Sequence, residues 1–300
     1  MLNLKGMDTR IETLTDTLLD EIVNAAGLRK TLAARRTFGL LFRRAADRLS
    51  AIGLAADRMI RTDGFPAACR WMMSHWVGNV TTRGAENIPP EGPLLVVSNH
   101  VGAYDILVAP SQVNRPDLKI ISSDIKYLKN LPHACEHLIF LTDEPHDRMA
   151  ATRAGIRQLK EGGSLLLFGS GRIDPDPALS AEAEKHLENW SPSIDLFLRM
   201  APQAKVVLSI ASGFLTSRWM NHPLTRLRRV DWEKRRIAEF GQVLQQLFFP
   251  GTIYVSPSVS FAPPITAEEL GENPRQKLIE QARCLLADHL ARLATPQLAG

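Results

Sequence analysis

The chain has 300 residues, of which 45% are hydrophobic and 23% are charged, and its formal net charge is +4. This composition is typical of a globular protein of about two domains and excludes a disordered chain. Its three cysteines are widely spaced, which excludes a disulfide framework and a Cys-x-x-Cys metal pair. We therefore expect a cytoplasmic protein, and we leave open a peripheral contact with the cytoplasmic face of the membrane.

Apolar residues at helical spacing predict a small N-terminal helical domain over residues 1–79. Gly27 and Gly53 are the expected ends of its first two helices, because glycine is common where helices stop. The four predicted helices cover residues 11–27, 28–53, 54–61 and 65–77.

From residue 80 the pattern changes to alternating strands and helices. This alternation predicts an α/β domain over residues 80–300, with a mixed, mainly parallel central sheet that is flanked by helices. A last amphipathic helix is expected from Pro274. The predicted strands cover residues 94–98, 118–122, 138–142, 164–168, 205–211 and 252–261, and the predicted helices cover 103–112, 148–161, 178–188, 191–200 and 232–248.

A histidine and an aspartate frame the start of the helix that follows the first of these strands. The apolar run 94–97 indicates a buried strand, His100 follows its end, and Asp105 comes five residues later. A carboxylate there can accept a hydrogen bond from one ring nitrogen and fix the tautomer, so that the other nitrogen can take a substrate proton. The pair therefore predicts a general base that needs no serine or cysteine nucleophile.

The surrounding sequence gives this pair a family context. Residues 84–105 read G-x-E-N-I-P-x-x-G-P-L-L-V-V-S-N-H-x-x-x-x-D, which resembles the first signature of the glycerol-phosphate and lysophospholipid acyltransferase superfamily. The similarity extends over about residues 80–265 and includes a Gly-Ser-Gly-Arg loop at 169–172. That loop and the Asp-Pro-rich run after it look closest to the soluble, plastid-type glycerol-3-phosphate acyltransferases.

This resemblance implies transfer of a fatty acyl group to the hydroxyl of glycerol-3-phosphate or of a lysophospholipid-like acceptor. It implies that His100 is the general base and that Asp105 orients it. Ser170, Gly171 and Arg172 would form the substrate-binding loop, in which Arg172 holds the acceptor phosphate and a backbone N–H helps to stabilise the oxyanion. Acyl carrier protein or coenzyme A would bring the acyl group as a co-substrate thioester, and no metal or other cofactor is expected.

The chain departs from the plastid-type pattern in its basic residues. Asp174 stands where that loop carries a second arginine, and the Lys-His pair after the third strand is missing. Arg148 and Arg153 in the next helix are candidate acceptor-binding residues that would compensate. The identity of the acceptor is therefore open.

Two basic stretches are candidate contacts for an acidic acyl carrier protein, for the phosphates of coenzyme A or for anionic lipid headgroups. Solvated helix faces are the alternative interpretation. No nucleic-acid motif accompanies them, so we expect no nucleic-acid partner. The basic residues are Arg29, Lys30, Arg35, Arg36, Arg43, Arg44 and Arg48 in the first stretch, and Arg226, Arg228, Arg229, Lys234, Arg235 and Arg236 in the second.

Two other functions compete with acyl transfer. The segment from His133 to His137 matches the H-x-x-E-H pattern of inverted zincins, in which both histidines would bind zinc and Glu136 would activate water. That chemistry requires a long helix, and Pro132 together with the strand expected at 138–142 leaves little room for one. A non-catalytic lipid-binding relative would keep the same sheet without turnover.

Overall fold

The structure is a computed structural model that describes residues 4–25, 32–142 and 144–294. Within these residues, α-helices and a single sheet alternate along the chain after an all-helical start. The helices are α1 Leu4–Ala25, α2 Leu32–Asp63, α3 Phe65–Met73, α4 Asp105–Val113, α5 Lys126–Lys129, α6 Pro132–Cys135, α7 Pro145–Lys160, α8 Ala183–His186, α9 Ser193–Met200, α10 Ser217–Met220, α11 Pro223–Arg226, α12 Asp231–Phe248, α13 Ala267–Leu270 and α14 Pro274–Ala294. The strands are β1 Thr81–Arg83, β2 Leu94–Ser98, β3 Lys119–Ser123, β4 Leu138–Leu141, β5 Ser164–Phe168, β6 Lys205–Ser212 and β7 Ser258–Phe261.

The sheet has the strand order β1-β7-β6-β2-β5-β3-β4. All neighbouring strands are parallel except β6 and β7, which are antiparallel. The fold class expected from the sequence, a mixed and mainly parallel sheet between helices, is therefore confirmed. β2 lies between β5 and β6, so the loops that follow these three strands leave the same edge of the sheet.

Both faces of β2 are buried, which explains its unbroken apolar sequence. Because side chains alternate along a strand, Leu94 and Val96 belong to the core on one face of the sheet, and Leu95 and Val97 belong to the core on the other. Helices α3, α4 and α12 cover the first face, and helices α7, α9 and α14 cover the second.

The N-terminal helices share the core of the sheet domain. Ile52 of α2 and Phe65 of α3 are buried in the same cluster as Val96 of β2 and Val108 of α4. The domain boundary at residue 79/80 stays a prediction.

Some predicted element bounds are wrong. Helix α2 continues through Gly53 to Asp63, and the missing side chain of Gly53 leaves room for the Tyr127 hydroxyl, which donates to the Leu49 carbonyl over 3.1 Å. The predicted strand 252–261 is reduced to β7, and the predicted helix 178–188 is reduced to the short α8 and a following 3₁₀ turn. The short β1 was not predicted. Gly27, Arg29 and Lys30 lie outside the described residues.

No helix in the described part of the chain combines the length and the apolar character that crossing a bilayer requires.

Candidate active site

The loops after β2, β5 and β6 meet at the carboxyl edge of the sheet, where ligands of α/β proteins commonly bind. Asn99 extends the pairing of β2 and β6, because its amide Nδ2 donates to the Ala211 carbonyl and its Oδ1 accepts from the Ala211 N–H, over 2.9 and 2.8 Å. The Gly169 N–H donates to the Ser98 carbonyl over 2.8 Å, which holds the loop after β5 against β2. His100 therefore follows a central strand whose end is held by hydrogen bonds to both neighbouring strands or their loops.

His100 and Asp105 form a direct pair. The distance between His100 Nδ1 and Asp105 Oδ2 is 2.7 Å, and the same carboxylate oxygen accepts from the backbone N–H groups of Val101 and Gly102 over 2.7 and 3.2 Å. The Asp105 side chain is 2% exposed, whereas that of His100 is 26% exposed. With Nδ1 facing the carboxylate, Nε2 is the nitrogen that can accept a substrate proton.

Burial lowers the pKa of His100, but nearby carboxylates outweigh this effect and the net pKa is raised. The charge and hydrogen bond of Asp105 contribute most to the increase, followed by the charges of Asp174 and Glu239. The imidazole also stacks on the Phe168 ring at the end of β5, with ring centroids 4.4 Å apart. The ring is therefore fixed on one side and made more basic than an isolated histidine.

Asp174 makes two backbone contacts with His100. Its Oδ2 accepts from the His100 N–H over 3.0 Å, and its own N–H donates to the His100 carbonyl over 2.5 Å. Burial raises the pKa of Asp174, although the His100 N–H, Ser170 and the charge of His100 lower it. Asp174, which departs from the plastid-type pattern in the sequence analysis, thus joins the loop after β5 to His100.

The predicted substrate-binding loop forms a tight turn after β5. The Gly171 N–H donates to the Phe168 carbonyl over 3.0 Å, and Gly171 has a φ of +64°, a conformation that favours glycine. The Ser170 hydroxyl donates to the Arg172 carbonyl over 2.8 Å, so it is used within the turn. Arg172 is exposed at the tip.

A cavity of about 940 Å³ opens beside this turn. It is large enough for a substrate with a polar head and part of a chain. Ser170 and Arg172 border it on one side and helix α12 borders it on the other. The lining residues are Val101, Ser170, Arg172, Ile173, Asp174, Asp176, His186, Asn189, Ser191, Pro192, Phe214, Leu215, Trp232, Arg235, Arg236 and Glu239.

Glu239 of α12 is a site residue that the sequence analysis missed. Its carboxylate accepts from the Ala103 N–H between His100 and Asp105, and a Cβ on Gly102 would lie 2.5 Å from Glu239 Oε1. Burial raises the pKa of Glu239. Helical spacing puts Glu239 on the same face of α12 as other cavity-lining residues, but the sequence does not reveal which loop that face meets.

Asp176 holds the third loop of the site. Its carboxylate accepts from the backbone N–H groups of Gly213, Phe214 and Leu215 over distances of 2.9 to 3.3 Å. Burial raises the pKa of Asp176, while these N–H groups and that of Ala178 lower it. The loop after β6 is thereby attached to the chain that follows Arg172.

The other predicted acceptor-binding residues lie elsewhere. Arg148 and Arg153 are on α7, which packs on the sheet face opposite to α12, and neither lines the cavity. Within the described residues, the arginines that border the cavity together with Arg172 are instead Arg235 and Arg236 of α12.

The structure does not assemble the zincin motif. Helix α6 ends at Cys135, His133 Nδ1 lies 3.7 Å from Glu136 Oε1, and His137 stacks on Phe65 while its Nδ1 bonds to the Leu118 carbonyl. Across the parts of the chain that the structure describes, there is no group of three or more side chains placed to hold a metal ion. The long helix that would carry both histidines as zinc ligands is not formed.

The fold and the site together define a class of protein: an α/β protein in which a carboxylate orients a histidine beside a cavity that is lined by arginines. Residues 79–208 match the model of the family described as Acyltransferase. This segment, which contains the His100–Asp105 pair and the 169–172 loop, is therefore an acyltransferase domain, and the predicted O-acyltransferase class is confirmed.

One solved structure is also similar to this chain. It is the crystal structure of the 1-acyl-sn-glycerophosphate (LPA) acyltransferase PlsC from Thermotoga maritima, with a TM-score of 0.47 and 14% sequence identity. The similarity covers 96% of this chain and 100% of that chain. No curated protein matches this chain.

Proposed function

We propose that this enzyme esterifies the free hydroxyl of a phosphorylated glycerol acceptor, either glycerol-3-phosphate or a lysophospholipid-like molecule. The acyl group comes from a thioester of acyl carrier protein or coenzyme A. His100 is the general base, Asp105 orients it, and Arg172 binds the acceptor phosphate.

The observation that carries this proposal is the 2.7 Å contact between His100 Nδ1 and Asp105 Oδ2. It leaves Nε2 as the ring nitrogen that can take a proton, and the 26% exposure of the His100 side chain supports access of a hydroxyl to the ring. A positioned base of this kind accelerates proton transfer by about 10²–10⁴-fold.

The reaction transfers the hydroxyl proton of the acceptor and replaces the C–S bond of the thioester with a C–O bond. The acceptor oxygen attacks the thioester carbonyl as its proton passes to His100 Nε2, and the tetrahedral intermediate forms with a negative oxygen. The C–S bond then breaks and the thiolate leaves, taking the proton from the imidazolium. The Ser170 backbone N–H is the proposed donor to the negative oxygen, because the N–H groups of Gly169, Gly171 and Arg172 already donate within the protein.

Charge in the cavity supports a phosphorylated acceptor. Arg172 borders the cavity on one side and Arg235 and Arg236 border it on the other, so an anionic group can be bound from two directions. Three carboxylates also line the cavity, and each accepts a hydrogen bond from a backbone N–H group: Asp174 from His100, Asp176 from Gly213 and Glu239 from Ala103. Because these carboxylates are engaged by backbone donors, we assign the acceptor phosphate to the arginines, and the sequence leaves open which group the acceptor carries besides the phosphate.

The test is to incubate the pure protein with labelled acyl thioesters of both carriers and with matched phosphorylated and unphosphorylated alcohols. We expect an ester of a phosphorylated glycerol, and we expect the His100→Ala variant to form none. Ester formation on unphosphorylated alcohols at an equal rate would contradict the phosphate assignment. Binding of lipid without any ester would favour the non-catalytic alternative.

A further inference from the structure

A short exposed segment before and at the start of α12 combines apolar and basic side chains. We call residues 224–232 the docking segment. Leu227 is 78% exposed and Trp232 is 53% exposed, and Leu224 and Val230 are exposed as well. Large apolar side chains that are exposed so close together commonly mark an interaction site.

The same segment is strongly basic. Arg226, Arg228 and Arg229 alternate with the exposed apolar residues, and all three are exposed. Residues 224–236 hold six basic and two acidic residues, a local net charge of +4 that equals that of the whole chain. One of the two acids, Asp231, is paired with Lys234 over 2.7 Å. This surface therefore attracts an anionic partner.

The docking segment borders the mouth of the active-site cavity. Trp232 at its end lines the cavity, and so do Arg235 and Arg236 one turn further along α12. A partner that binds the docking segment is consequently next to the opening through which an acceptor reaches Arg172.

The exposed apolar surface continues onto α2. Phe240 of α12 is exposed, and its ring meets that of Phe42 edge to face with centroids 6.0 Å apart. Leu40 and Leu41 precede Phe42 in sequence, and their side chains are exposed as well. Leu40 is 89% exposed and Leu41 is 59% exposed. Helices α2 and α12 thus both have exposed apolar side chains near the contact between Phe42 and Phe240.

We infer that the docking segment binds an anionic lipid surface, so that the cavity mouth faces the membrane. An anionic bilayer fits both features of the segment, since arginines meet the headgroup phosphates while leucine and tryptophan enter the boundary with the acyl chains. An acidic protein such as an acyl carrier protein would be attracted by the arginines, but it would not require the alternating exposed apolar residues. The inference rests on the proposed function in one respect: a lipid-type acceptor would come from the membrane to which the docking segment binds.

Vesicle binding tests the inference without substrate or turnover. The full chain is sedimented with phosphatidylcholine vesicles that contain or lack phosphatidylglycerol. We expect binding to the anionic vesicles, and we expect the double variant Arg228→Ala/Arg229→Ala to weaken it about 25-fold, because each basic residue near such a surface contributes about fivefold. Leu227→Ser/Val230→Ser is expected to weaken binding as well.

The matched controls lie on α7, on the opposite face of the sheet. Arg153→Ala/Arg157→Ala removes two exposed arginines, and Met149→Ser removes an exposed apolar side chain. Both are expected to bind vesicles as the unmodified chain does. Equal binding by the docking-segment variants, or an equal loss in the α7 controls, would overturn the inference. Binding of acyl carrier protein but not of anionic vesicles would overturn it too. None of these measurements depends on acyl transfer. A failure of the proposed reaction would therefore appear in the ester-formation assay and would not change the vesicle-binding result.

Discussion

Glu239 on α12 accepts a hydrogen bond from the backbone N–H of Ala103, which lies between His100 and Asp105 in the chain. This contact brings a third carboxylate close to His100, and its charge contributes to the raised pKa of that histidine. Glu239 lies outside residues 79–208, the segment that matches the acyltransferase family. Helix α12 therefore adds to the site a charge from outside the segment that matches the family model.

The first prediction concerns that charge. Glu239→Gln keeps an oxygen that can accept from the Ala103 N–H but removes the negative charge, so we expect the pKa of His100 to fall. The measurement is an NMR titration of the His100 ring, and it requires no substrate. Glu233→Gln, on the same helix and outside the cavity lining, is the control and should leave that pKa unchanged. An unchanged pKa of His100 in Glu239→Gln would mean that the charge of Glu239 does not affect the protonation of His100.

The second prediction concerns Asp105 and the pH dependence of the reaction. A general base must be neutral, so activity should rise with pH through the raised pKa of His100. Asp105→Asn removes the largest contribution that raises this pKa, while burial continues to lower it. The acidic limb of the pH profile of kcat/KM should therefore move to lower pH, further than in Glu239→Gln, and the maximum rate should fall. A limb that stays in place or moves to higher pH would contradict the assignment of His100 as the base.

The sequence was sufficient to predict the central part of the site. The apolar residues 94–97 predict a strand that is buried on both faces, and the spacing of His100 and Asp105 predicts their contact. Both depend on local chain geometry, because the aspartate begins the helix that follows the histidine.

The residues that sequence analysis missed depend on contacts between distant parts of the chain. Glu239 reaches Ala103 over 136 positions, and only the packing of α12 brings them together. The prediction for Arg148 and Arg153 followed the chain order after the third strand, whereas α7 packs on the other face of the sheet. Gly53 resembles a helix stop in sequence, yet the close approach of Tyr127 requires a glycine inside α2.

The third prediction concerns the acceptor phosphate. Arg172→Ala removes a cation from the rim of the cavity, so we expect the KM for a phosphorylated acceptor to rise by about tenfold or more, because a hydrogen-bonded charge typically contributes 1.5–3 kcal/mol. The KM for the acyl thioester should change little. Steady-state kinetics with each substrate varied in turn distinguishes the two. An increase confined to the thioester KM would place Arg172 at the donor instead.

The fourth prediction concerns stability. Asp176 accepts hydrogen bonds from three consecutive N–H groups of the loop after β6. Asp176→Ala leaves one buried and two partly buried donors unpaired, so we expect the free energy of unfolding to fall by about 3 kcal/mol. Urea titration measures this change, and Asp176→Asn, which keeps one side-chain acceptor, should lose less. Equal stability of the alanine variant and the unmodified chain would show that water satisfies the loop.

Loss of the imidazole is the most direct test of the mechanism. His100→Ala should lower the rate of ester formation by about 10²–10⁴-fold, while circular dichroism and thermal unfolding stay as in the unmodified chain. His133→Ala, which changes a histidine outside the site, should retain full activity. Ester formation by His100→Ala at the rate of the unmodified chain would contradict the account.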